Sequence, residues 1–324
     1  MTRFTGLIAA PFTPMNAQTG MNLSVVERQA ALLREAGVRG VFVGGTTGEC
    51  MSLTVDERLA LAERWKAVAG KDLAVLVHVG HACLAEARAL AAHAQKTGAQ
   101  AIGMCGPFYL RPARVEDLVD WCALVASAAP AVPFYYYHIP SVTHVGFPMA
   151  DFLKAAAGRI PTLAGIKFTH EDLLDFGRCL DFDGGRYDML FGRDEILLSA
   201  LALGAQGAIG STYNFAAPLF LRLWKAFETG GREEAAWGQQ QVRDFIAVLL
   251  HFGGLPAGKA LMKRMGVDCG PVRPPLRTLG PEEELRFFAE LERVGFFDAV
   301  SLDQGLAAPA RSEGGAKRTG GRKS

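Results

Sequence analysis

No apolar run of about 18 residues free of charge occurs in the 324-residue sequence, which excludes a simple membrane-spanning helix. Charge of either sign is scarce in net terms: 34 basic against 33 acidic residues leave +1, without the basic footprint of a nucleic-acid binder. Six cysteines (Cys50, Cys83, Cys105, Cys122, Cys179, Cys269) form no C-x-x-C pair, which argues against a zinc ribbon and suits a reducing compartment. Met1-Thr2-Arg3-Phe4 leads into a short strand-like run without the apolar stretch of a signal peptide, so a cytoplasmic location is expected.

What is present is an ordinary globular balance, 50% hydrophobic and 21% charged, long enough to bury a core without metals or disulfides. The length admits two average domains or one α/β barrel with an addition. From Gln304 onward, Arg311, Lys317, Arg318, Arg322 and Lys323 oppose only Glu313, so this end carries +4 and the preceding 303 residues −3. A mildly acidic body with a disordered basic tail is expected.

Short unbroken apolar runs alternate with longer amphipathic ones. Strands are predicted over residues 6–10, 40–43, 73–79, 101–105, 132–137, 163–168, 188–191 and 207–209. Helices are predicted over 24–36, 54–68, 84–95, 115–126, 147–157, 171–180, 195–203 and 214–229. Thr54 and Glu57 have capping-box spacing, and Gly37, Gly70, Gly98 and Gly158 stand where helices should stop. Pro218 is read as lying early in its helix, where proline is tolerated. Eight repeats favour a (β/α)8 TIM barrel, residues 1–231, over an open doubly wound sheet. Helical runs at 233–250, 256–265 and 281–293 form a C-terminal helical extension of the same domain, residues 232–300, before a tail at 301–324.

A barrel puts its chemistry at the C-terminal ends of its strands. Gly44-Gly45-Thr46-Thr47-Gly48-Glu49 follows the second strand and is either a plain turn or a cradle for a carboxylate or phosphate. In the fifth strand Tyr135 and Tyr137 share one face and Tyr136 the other, serving as packing or as a proton relay. Lys167 interrupts an apolar sixth strand, so it either snorkels, pairs with a carboxylate, or stays neutral as a nucleophile toward ketones. Asp194 and Asn214 read first as helix caps, and Asp194 with Glu195 alternatively as acceptors for sugar hydroxyls. His78 and His81 lack a completing carboxylate cluster, so no metal site is expected. Arg111 and Arg114 read as solvated.

Taken together, Gly44–Glu49, Pro107-Phe108-Tyr109, Tyr137-His138-Ile139-Pro140, Gly165-Ile166-Lys167 and the segment 207–214 occur in the order seen in the dihydrodipicolinate synthase/N-acetylneuraminate lyase family, which the chain resembles over residues 5–297. The resemblance implies a (β/α)8 class I aldolase, a homotetramer working on a small 2-keto acid, with no metal or organic cofactor. It is similar to the lyase branch: Val142 stands where synthases carry a carboxylate-binding arginine. His144 departs from the family's usual glycine and is a candidate for altered sugar preference.

The resemblance further implies that Lys167 forms the Schiff base and Tyr137 relays protons, with Tyr109 completing the network, reaching a neighbouring subunit in some relatives. Thr46 and Thr47 would hold the carboxylate. Thr169, Gly192, Asp194, Glu195 and Ser211 would hold the polyhydroxyl tail. The expected reaction is reversible cleavage of N-acetylneuraminate to pyruvate and N-acetylmannosamine. Alternatives are an aldolase or dehydratase for another 2-keto-3-deoxy sugar acid such as 2-keto-3-deoxygluconate, a dihydrodipicolinate synthase, and a non-catalytic sugar-acid-binding barrel.

Overall fold

A computed structural model describes residues 3–301; the tail expected at 301–324 lies, but for Ser301, outside the described residues. Eight strands, β1 (Gly6–Ala9), β2 (Gly40–Val43), β3 (Ala74–His78), β4 (Ala101–Cys105), β5 (Phe134–His138), β6 (Leu163–Phe168), β7 (Asp188–Phe191) and β8 (Gly207–Gly210), pair in parallel and close into a barrel. Parallel strands covered on both faces need apolar side chains on both, which is why they read as unbroken runs.

Around them lie α1 (Val26–Glu35), α2 (Val55–Val68), α3 (Leu84–Lys96), α4 (Val115–Ala126), α5 (Pro140–Thr143), α6 (Met149–Ala156), α7 (Leu173–Asp181), α8 (Leu197–Leu203) and α9 (Tyr213–Glu228). The C-terminal helices are α10 (Arg232–His251), α11 (Leu255–Arg264), α12 (Pro281–Arg293) and α13 (Phe296–Val300). The fold is the expected TIM barrel with added helices. α5 and α13 were not foreseen, being too short to show a helical period. Several helices begin later than the sequence suggests, because 3-10 turns at Leu23–Val25 and Asp194–Ile196 precede α1 and α8. No single helix among the described residues is long and apolar enough to cross a membrane.

The Thr54–Glu57 capping box forms, with both reciprocal hydrogen bonds present. The four stop glycines take left-handed φ values of 65° to 77°. Two local expectations fail. Asn214 lies inside α9 rather than capping it, and its amide donates to the Ala10 and Ser211 carbonyls, both at 2.7 Å. Pro218 sits in the second turn of α9, deeper than the first-turn position, so it forgoes a backbone hydrogen bond.

Side chains divide into an inner cluster inside the barrel, including Ile8, Phe42, Leu76, Tyr135, Tyr137 and Ile209, and a larger outer one beneath the helices. Tyr136 points outward, its ring 4.6 Å from that of Phe152 on α6, as strand alternation requires. β6 breaks this alternation. Its register against β5 jumps from Phe134↔Leu163 to Tyr135↔Gly165, leaving Ala164 as the extra residue of a bulge. Ala164 therefore faces the inner cluster, Ile166 and Phe168 face the outer one, and Lys167 opens inward beside Tyr137. Strict alternation from Ala164 would have sent the lysine outward. Gly165 makes the bulge possible, because a Cβ there would overlap the Asp188 carbonyl of β7.

Candidate active site

Lys167 lies at the inner end of β6, 4% exposed, and makes no ion pair among the described residues. It neither snorkels nor pairs. Its Nζ stands 3.5 Å from the centroid of the Tyr137 ring and donates to Thr169 Oγ1 at 3.3 Å. Burial lowers its pKa to about 7, against a smaller opposing pull from the negative charge of Asp194. A lysine so placed is substantially neutral near neutral pH and carries a free lone pair.

Tyr137 Oη is 3.3 Å from Thr46 Oγ1. Burial pushes its phenol well above the ordinary range, so it holds its proton. Beneath it, His78 packs edge-on with ring centroids 6.1 Å apart. Burial and the nearby Arg58 guanidinium keep that imidazole neutral. Arg58 donates to the carbonyls of His78 and Gly80, which fixes the end of β3. Burial also pushes the Cys105 thiol up to about 12, so it does not compete as a nucleophile.

On the opposite wall Asp194 is buried and accepts from Thr212 Oγ1 at 2.5 Å. This corrects the reading of Asp194 as a helix cap: the carboxylate turns toward β8 instead of back over its own helix. Burial raises its pKa to about 6. A side chain at Gly210 would overlap this carboxylate, and one at Gly192 would overlap Thr169 Oγ1, so both glycines admit their polar neighbours to the cavity. Asp194 and Glu195 both line the cavity, at different depths. Glu195 sits nearer solvent, 3.5 Å from Arg193, which also pairs with Glu171 at 2.6 Å.

These groups surround one cavity of about 260 Å³ at the C-terminal ends of the strands. Thr46, Thr47, Tyr137, Lys167, Thr169, Gly192, Asp194, Glu195 and Ser211 all line it. Tyr109 does not: it is 82% exposed in the loop after β4, and no other part of this chain carries it to the cavity. His144 and Val142 are likewise exposed and off the cavity wall. His144 takes a left-handed φ of 54° where α5 ends, which explains why glycine suits that position.

Sequence reasoning missed Thr212, Arg193 and the apolar wall supplied by Phe215 on α9, Ile246, Leu249 and Leu250 on α10, and Leu255 on α11. Thr212 lies inside the 207–214 segment, where Ser211 alone was taken as a substrate contact. The residues of α10 and α11 look in sequence like ordinary core. Gln239 of α10 secures that wall, donating to the Asp194 carbonyl at 3.1 Å and accepting from Leu198 N at 2.7 Å. Among the described residues no group of three His, Cys, Asp or Glu side chains is placed to hold a metal.

Comparison with known proteins agrees with this fold. Residues 3–294 match the model of the dihydrodipicolinate synthetase family. The chain is 44% identical over 278 residues to an N-acetylneuraminate lyase of Xenopus tropicalis, covering 85% of this chain and 91% of the relative. It is 40% identical over 309 residues to that of Homo sapiens, covering 94% and 96%. Among solved structures, the N-acetylneuraminate lyase of Proteus mirabilis superposes with a TM-score of 0.89 at 40% identity, covering 91% of this chain and all of that one.

Proposed function

Because the chain belongs to the dihydrodipicolinate synthetase family, we propose that it is a class I aldolase cleaving N-acetylneuraminate reversibly to pyruvate and N-acetylmannosamine. The observation that carries this reading is the buried amine of Lys167, lowered to about pKa 7 and set against Tyr137 in a cavity that Asp194 also lines.

Lys167 attacks the C2 ketone of the open-chain sugar acid and water leaves, giving an iminium. Thr46 and Thr47 hold the adjoining carboxylate. As the C4 hydroxyl loses its proton, the C3–C4 bond breaks, its electrons pass to the iminium, and an enamine and an aldehyde result. Tyr137, kept protonated by burial, serves as a relay that passes its own proton toward the Thr46 and carboxylate side while accepting the one from C4. Protonation of the enamine at C3 and hydrolysis release pyruvate. Asp194, Glu195, Ser211 and Thr169 accept or donate to the hydroxylated tail, which fixes C4 for cleavage. The apolar wall from α10 and α11 suits the acetamido methyl of this sugar better than a bare 2-keto-3-deoxy hexonate. The lysine itself supplies the electron sink, so no metal or organic cofactor enters the scheme.

The working form proposed is a homotetramer. Phe108, Tyr109 and Leu110 form an exposed apolar loop suited to burial against a neighbouring copy. Six unpaired cysteines fit a cytoplasmic setting.

Pyruvate and borohydride should leave a reduced adduct on the Lys167 peptide, and Lys167→Ala should abolish both adduct and turnover; an adduct elsewhere, or turnover without Lys167, overturns the reading. N-acetylneuraminate should be cleaved faster than 2-keto-3-deoxygluconate, and incubation with EDTA should leave the rate unchanged.

A further inference from the structure

Away from the reacting centre, the most enclosed ion pair among the described residues joins Lys259 Nζ on α11 to Glu49 Oε1 at 2.7 Å, with side chains 2% and 1% exposed. Two buried charges recover their lost hydration only with good geometry and added hydrogen bonds. Both are present here: Glu49 Oε2 accepts from Arg273 N at 2.8 Å, and Lys259 donates to the Pro271 carbonyl at 2.7 Å. Glu49 also takes a left-handed φ of 56°, a conformation unfavourable to a side chain of its kind. The surrounding contacts hold it there.

Glu49 closes the Gly44–Glu49 loop, whose Thr46 and Thr47 face the cavity. The Glu49 N–H donates to the Thr46 carbonyl at 3.0 Å, and Thr13 Oγ1 donates to the Gly48 carbonyl at 2.7 Å. The back of the loop is therefore fastened to α11, while its front meets Tyr137 through Thr46. The same helix contributes Leu255 and Gly258 to the cavity wall. We propose that Glu49 and Lys259 are positioning residues, seating the Thr46–Thr47 loop where it holds the keto acid's carboxylate beside Lys167. The C-terminal helices thereby set carboxylate recognition without touching the carboxylate. The inference rests on Lys167 as the Schiff-base lysine, but not on which sugar is cleaved.

The test compares two ketones trapped at Lys167 by borohydride: pyruvate, which has the carboxylate, and acetone, which lacks it. In Lys259→Met the pyruvate-to-acetone ratio of trapping rates should fall about tenfold, short of the roughly hundredfold loss that an ångström of misplacement causes. Lys259→Arg should restore most of the ratio. Should Lys259→Met fail to fold, the double variant Glu49→Gln with Lys259→Met leaves no unpaired buried charge and should show the same fall. A merely structural role would slow both ketones alike, so an unchanged ratio in the folded variants overturns the proposal. Absence of any adduct in the parent protein would overturn the aldolase reading and this inference with it, whereas failure to cleave N-acetylneuraminate alone would leave the ratio test standing.

Discussion

A buried amine is a nucleophile only while it is neutral, and Lys167 meets that condition through burial. In an unfolded chain a lysine holds its proton up to about pH 10.4, while in the folded protein Lys167 releases it near 7. Between these values the folded state binds fewer protons, so this group's contribution to stability rises with pH across that window and is least below pH 7. The trapping rate with pyruvate should follow the same titration, climbing through pH 7 and then levelling. The Asp194 carboxylate holds the proton on Lys167, so Asp194→Asn should move the rising limb to lower pH; a limb that stays or moves upward would refute the coupling. At this scale the sequence was informative where a polar side chain interrupts an apolar strand, as Lys167 does, or directly follows one, as Thr169 does. It said nothing of Lys259, an ordinary helical lysine whose partner lies some two hundred positions away.

Elements carry the next level. α5 is four residues long and stops at His144 in a left-handed turn. His144→Gly should remove steric cost there, adding roughly 0.5–1 kcal/mol and raising Tm by a few degrees, less what glycine loses in unfolded-state entropy. Because His144 is exposed and off the cavity wall, substrate ratios should not change; a changed ratio in the variant would restore it as a specificity residue. The eight strands were legible because their apolar runs are short and bounded by glycine or polar residues. The bulge in β6 was not, since Ala164 and Gly165 are both small and nothing local marks which one is supernumerary. Ile246 and Leu249 were equally silent: an apolar stripe on a helix reads the same whether it covers a core or a ligand.

For the whole molecule, the barrel supplies a rigid ring of strand ends, and the added helices complete one wall of the cavity while fastening the Thr46–Thr47 loop. Tyr109 is 82% exposed and off the cavity wall, so the part in proton transfer that the family resemblance gives it would require a neighbouring copy. Sedimentation should show four copies, and Leu110→Asp should break the assembly and lower turnover more than it lowers melting temperature. A fully active monomer would end that idea. The β6 bulge has a consequence of a different sort. Which way the nucleophile faces is decided by a count of residues, with no particular side chain responsible. An alanine scan preserves chain length and would pass over Ala164 as inert. Deleting that one residue would straighten β6 and still leave Leu163 outward beside Phe134 and Lys167 inward beside Tyr137, whereas a second inserted residue would turn the lysine toward the helices, so the strand tolerates a residue lost at this point and not one gained.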